Sequence, residues 1–151
     1  MSNNFVPGKI LNVYSALRRE LGLLAAYELK KYKFGRNQMI AMIHLDEEES
    51  ATLSELAEVT QSDPASATRT VNSLEKLGWI KKSIDPVDNR KSVVEITAKG
   101  RKKAIIARQI RDHLAAKVDA ILTTPENVVV GELLEKIVKG LQESRDLQIE
   151  L

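Results

Sequence analysis

The 151-residue chain has no cysteine, which removes disulfides, thiol redox switches and zinc–thiolate sites together. Its two histidines, His44 and His113, stand alone in separate helical stretches. A metal site needs further ligands in suitable geometry, so neither is assigned one and no cofactor is expected. The chain also lacks a glycine-rich phosphate loop, a nucleophile elbow and a paired histidine. Ser54, Glu55 and the acids Glu47, Glu48 and Glu49 therefore have nothing beside them to complete a hydrolytic centre, and the chain is not read as an enzyme. No apolar run approaches about 18 residues and no charged-then-apolar leader occupies Met1 to Ile10, so a cytoplasmic protein without membrane contact is expected. Internal repeats and low-complexity tracts are missing too.

What is present is a globular composition. With 43% hydrophobic and 29% charged residues, the chain is long enough for one domain with a proper core, extended by helices. The net charge of +2 says little, but its distribution says more. Pro64 to Lys103 holds ten Lys and Arg against four acids, a net +6, which leaves −4 for the rest of the chain. Asp46 to Asp63 alone holds seven acids and no base. A basic module within an acidic protein points to a polyanion as its partner, although most charge runs are merely solvated faces.

The apolar spacing predicts a helix over Lys9–Tyr32. Ile10, Tyr14, Leu17, Leu21 and Leu24 recur at steps of four and three, and Leu11, Leu23, Tyr27 and Leu29 widen the surface. That breadth exceeds what one neighbour needs and suggests contact with a second chain. Lys33-Phe34-Gly35 closes the helix, and Gln38 to Leu45 forms a second, mostly buried one, with Asp46 to Glu49 as a loop. Thr52-Leu53-Ser54-Glu55 is a capping box opening a third helix, with Leu53, Leu56 and Ala57 inward. Asp63-Pro64 starts a fourth, which runs to Leu77 and stops at Gly78. Its inward stripe is Ala67, Val71, Leu74 and Leu77; Ser66, Arg69, Ser73 and Lys76 lie on another face, flanked by Ala65, Thr68 and Asn72. Small hydroxyls, an amide and two cations make a face able to approach a base-pair edge.

Trp79 to Ile84 and Ser92 to Thr97 read as a β-hairpin, with Trp79 in the core at its corner and Asp85-Pro86-Val87-Asp88-Asn89-Arg90-Lys91 as its charged loop. Thr97 caps a long helix, Lys99 to about Leu122, buried through Ile106, Ile110, Leu114, Val118 and Ile121. Thr124-Pro125 caps the last, which carries Val130, Leu133, Leu134, Ile137, Val138 and Leu141. The expected fold is mainly α with a small β-hairpin (α+β), in the order α-α-α-α-β-β-α-α. It is a winged helix-turn-helix between N- and C-terminal dimerisation helices. Tyr14, Arg18, Tyr27 and Tyr32 near the helix junction are compatible with an effector pocket and equally with packing, so no ligand residue is assigned.

At Leu56-Ala57, Ser66-Ala67-Thr68-Arg69, Leu74-Glu75-Lys76-Leu77-Gly78-Trp79-Ile80, Asp85-Pro86-Val87-Asp88-Asn89-Arg90 and Ile96-Thr97-Ala98-Lys99-Gly100, the chain resembles the MarR family of transcription regulators. The resemblance spans nearly the whole length. It implies a single MarR-type domain over 1–151, with 36–100 as the DNA-binding part and 9–32 and 100–151 as the helical dimerisation part. It further implies a homodimer on a pseudo-palindromic operator in double-stranded DNA, acting as a repressor released by a small-molecule effector. By position, Ser66, Thr68 and Arg69 are implied as recognition contacts, with Asn72, Ser73 and Lys76 on the same helix. Arg90 is implied as the wing residue in the minor groove, Asp88 as its orienting partner and Lys91 as its neighbour. The chain departs from the family pattern where Asn89 replaces a common arginine, Ala65 a hydroxyl and Ser73 a basic residue, and where Gln61 and Ser62 form the turn. The other open reading is a winged-helix protein-interaction module whose basic wing meets an acidic protein.

Overall fold

Two side-chain caps fix where the central helices begin. Thr52 accepts a hydrogen bond from the Glu55 N–H at 3.2 Å while Glu55 takes the Thr52 N–H, so the predicted capping box forms. Asp63 accepts from the Ser66 N–H at 2.8 Å with Pro64 in the first turn. The computed structural model describes residues 7–84, 87–88 and 92–149. Its elements are α1 (Lys9–Tyr32), α2 (Arg36–Glu48), β1 (Ser50–Thr52), α3 (Leu53–Val59), α4 (Pro64–Lys76), β2 (Ile80–Ile84), β3 (Ser92–Ile96), α5 (Ala98–Asp119) and α6 (Thr124–Ile149).

The chain forms two compact units, one up to Leu114 and one from Ala115. In the first, Leu29, Met42, Leu45, Leu56, Leu74 and Ile110 belong to one buried cluster. Phe34 and Trp79 pack in it with ring centroids 5.2 Å apart, so the predicted core role of Trp79 holds. The sheet has three antiparallel strands in the order β1-β3-β2, and β1 is an addition to the expected hairpin. Ser50, Ala51 and Thr52 pair with Glu95, Val94 and Val93. Gly78 takes the left-handed conformation that ends α4, as its position predicts.

Four expectations need correction. Asp46 to Glu48 are helical rather than loop, because Arg108 of α5 reaches back to Asp46 (2.9 Å) and Glu47 (2.8 Å). That cation offsets acids placed at the unfavourable C-terminal end of a helix. Leu77 is 40% exposed and Leu53 37%, so neither belongs to its inward stripe. The buried face of α5 is Gly100, Ala104, Ala107 and Ile110; Ile106, Leu114 and Val118 are half-buried and Ile121 is exposed. Small residues line that face because α5 approaches the α4–β2 corner closely: a Cβ on Gly100 would lie 2.0 Å from the Trp79 carbonyl oxygen. Finally, Thr123 rather than Thr124 caps α6, with Glu126 accepting from its N–H and hydroxyl.

Burial of one charge ties α1 to α5. Glu28 is 3% exposed, with Lys31 Nζ at 3.1 Å and His113 Nε2 at 3.7 Å from its carboxylate. A buried carboxylate requires such partners. Towards its N-terminus, α1 leaves Ile10, Leu11, Tyr14, Leu17 and Leu21 exposed. In the second unit, α6 exposes Val130, Leu133, Leu134, Ile137, Val138 and Leu141. Among the described residues no helix is long and apolar enough to cross a membrane.

Candidate nucleic-acid interface

The fourth helix is positioned by its apolar stripe, since Ala67, Val71 and Leu74 are buried and fix which residues face out. Thr68, Arg69, Asn72 and Lys76 are exposed on that outer side, while Ser66 and Ser73 are half-buried at its edge. The hydroxyl of Thr68 donates to the Pro64 carbonyl at 2.8 Å. Arg69 Nη2 donates to Ser66 Oγ at 2.7 Å, so these two predicted contacts act as one unit. The Ser66 N–H bond holds the Asp63 carboxyl below its ordinary range, and the nearby Arg69 charge adds to that effect.

Each flank of the helix is pinned by a neighbour that the sequence reading did not single out. On one side Lys82 of β2 donates to Asn72 Oδ1 (3.0 Å) and pairs with Glu75 (2.9 Å), joining the strand to the helix. On the other, Gln38 Nε2 of α2 donates to Ser73 Oγ at 2.9 Å, and Gln38 Oε1 accepts the Gly35 N–H at 2.8 Å. Beside this bridge lies an open cleft of about 380 Å³ lined by Gly35, Arg36, Asn37, Gln38, Arg69, Thr70 and Ser73. The one available sequence signal was a cation, Arg36, where a helix start ordinarily favours an acid.

The base of the wing is cross-braced by side chains. Lys81 pairs with Glu95 at 2.7 Å, and together with Ser83 it holds the Glu95 carboxyl below the usual carboxylate range. Beyond it, Val87 is 94% exposed and Asp88 is half-buried. Arg90 and Lys91, with Asp85, Pro86 and Asn89, lie outside the described residues. Among the described residues no group of three His, Asp or Glu side chains is arranged to hold a metal.

Two consecutive helices, α3 and α4, followed by the β2–β3 ladder with β1 on its edge, define a winged helix-turn-helix. Residues 35–92 match the model of the MarR family, and this winged segment belongs to that family. The chain is similar to the HTH-type transcriptional regulator YybA of Bacillus subtilis, at 24% identity over 133 residues that cover 88% of this chain and 89% of that one. A structure bearing on the regulation of DNA binding of Bordetella bronchiseptica BpsR by 6-hydroxynicotinic acid superposes with a TM-score of 0.78 at 18% identity, over 90% of this chain and 98% of that one. The Staphylococcus aureus MepR–DNA complex gives 0.76 at 18% identity, over 91% and 99%. At such identities these two likenesses carry the fold, and the predicted mainly-α winged architecture stands.

Proposed function

We propose that the chain is a homodimeric, sequence-specific DNA-binding regulator of transcription. It acts in the cytoplasm as a repressor that a small ligand releases, rather than as an enzyme. The observation that carries this reading is the outer face of α4. Thr68, Arg69, Asn72 and Lys76 stand exposed there, with Ser66 braced against Arg69 and the helix held on both flanks. Such a face offers hydrogen-bond groups to base edges and cations to phosphates. Asp88, Arg90 and Lys91 are assigned to the wing's approach to the minor groove, where a planar guanidinium suits the focused negative potential.

The exposed apolar residues of α1 and α6 support assigning 9–32 and 100–151 to dimerisation and 36–100 to DNA. That BpsR is regulated in DNA binding by 6-hydroxynicotinic acid, and that MepR forms a DNA complex, supports both halves of the proposal. Footprinting on the duplex upstream of the chain's own coding sequence, at fixed salt, tests it. The expected result is a protected pseudo-palindrome with half-sites about one helical turn apart. A well-behaved dimer that protects no site and binds no duplex would overturn it and favour the interaction-module reading.

A further inference from the structure

We infer that the cleft between α2 and α4 is a second DNA contact, in which Arg36 and Arg69 hold a backbone phosphodiester at the edge of the groove that α4 enters. The inference rests on the assignment of α4 to DNA and adds a binding residue from a different helix. Its basis is an imbalance of charge. Among the described residues Arg19, Arg101, Arg108, Arg111 and Arg145 each have a carboxylate within 4.0 Å. Arg18, Arg36 and Arg69 have none, and two of these three line the same cleft. A guanidinium stays charged at any physiological pH, and with no carboxylate lining the opening these two present a positive wall to an anion, although Asp63 lies near enough to Arg69 to feel its charge.

Arg36 is placed against the helix dipole, although it also borders Phe34 and Lys30 on the α1 side. It sits in the first turn of α2, where no acid accompanies it and where the helix dipole disfavours a cation. Its side chain is exposed, and no hydrogen bond or ion pair holds it among the described residues. The cleft's wall is nevertheless fixed, because both ends of the Gln38 amide are engaged, one by Gly35 N–H and one by Ser73 Oγ.

The anion that fits is set by what lies next door. Arg69 borders the cleft and also belongs to the outer face of α4. A helix in a major groove about 12 Å wide has a sugar–phosphate strand along each side. Lys82 stands on the β2 flank of α4 and Arg36 on the α2 flank, so the two cations straddle the helix as the two strands would. A phosphodiester carries no base identity, so this contact sets affinity and register rather than sequence preference.

The test measures binding of the full-length protein to its footprinted duplex and to an unrelated duplex of about 30 base pairs, three helical turns, across a salt series. Arg36→Ala is expected to weaken both by the same factor, about tenfold per protomer near 0.1 M salt, and to lower the log-affinity against log-salt slope by about 0.9 for each phosphate lost. Arg36→Lys is expected to restore most of the slope. The melting temperature of free Arg36→Ala should equal or exceed that of the wild type, since a cation opposed to the dipole has been removed. Affinity and slope unchanged in Arg36→Ala, while the wild type binds both duplexes, would overturn the inference alone. Failure of the wild type to bind any duplex would instead remove the DNA reading on which it rests.

Discussion

Gln38 of α2 and Ser73 of α4 are joined across 35 positions of sequence by a hydrogen bond of 2.9 Å. Ser73 lies at the helical spacing expected of a base-reading residue, yet its hydroxyl accepts from a neighbouring helix within the protein. The bond ties α4 to α2. Ser73→Ala should therefore destabilise the free protein by about 1 kcal/mol and Gln38→Ala by more, since the Gln38 Oε1 also accepts the Gly35 N–H, and the double variant should cost little more than Gln38→Ala alone. Urea melts of the three variants check this. Fully additive losses would show that the pair does not act as a unit.

Arg69 and Ser66, 2.7 Å apart, should carry sequence discrimination. Arg69→Ala and Ser66→Ala are expected to remove about 1–3 kcal/mol from the complex with the footprinted operator. Ser66→Ala should leave binding to unrelated duplex nearly unchanged. Arg69→Ala should lower that binding as well, by about as much as Arg36→Ala does, through its share in the cleft. Paired titrations on the two duplexes decide the matter, and equal losses on both for Ser66→Ala would assign this edge of α4 to phosphates.

Acid should uncap α4. The Asp63 carboxyl lies below its ordinary value of 3.8, chiefly because the Ser66 N–H donates to it. A folded-state value below the unfolded one means that the stabilisation is complete above the ordinary aspartate range. It is lost as pH falls through the lower, folded value. Asp63→Asn keeps a capping oxygen without titrating there, so the advantage of wild type over this variant should shrink between about pH 5 and about pH 2. Urea midpoints across that range test the claim; a constant offset between the two proteins would contradict it.

Gly100→Ala should be severe. The added Cβ would lie 2.0 Å from the Trp79 carbonyl oxygen and 2.9 Å from Ile96 Cγ1, and a backbone atom cannot step aside as a flexible side chain can. Overpacking of a close backbone approach costs about 3 kcal/mol or more. Gly131→Ala, where nothing lies within 4 Å, is the control and should be neutral or mildly stabilising. Calorimetric melting of the two variants separates the outcomes.

Local chemistry was legible in the sequence, and non-local chemistry was not. The course of α1 followed from apolar spacing and its end from Lys33-Phe34-Gly35, and the caps at Thr52 and Asp63 from side chains acting within one turn. The strand Ser50–Thr52 carries no strand pattern of its own and exists only through pairing with Val93 to Glu95. Asp46 to Glu48 look like a loop until Arg108, 62 positions past Asp46, supplies the cation that lets the helix continue. The Thr123–Glu126 cap was readable, since the spacing is that of a capping box; Thr124-Pro125 drew attention one residue too far. At the site, the outer face of α4 followed from helical spacing. Gln38 and Lys82 came into view only once α2 and β2 were packed against it.

The contact between Gly100 and Trp79 has a mechanical consequence. Thr97 donates its hydroxyl to the Gly78 carbonyl (2.8 Å) and accepts from the Gly100 N–H (3.0 Å), while Lys99 Nζ holds the Leu77 carbonyl at 2.8 Å. The root of α5 is thus clasped at three successive points to the last turn of α4 and the corner after it, with no clearance for sliding. The first turn of α5 and the end of α4 are therefore coupled like two parts of one bracket.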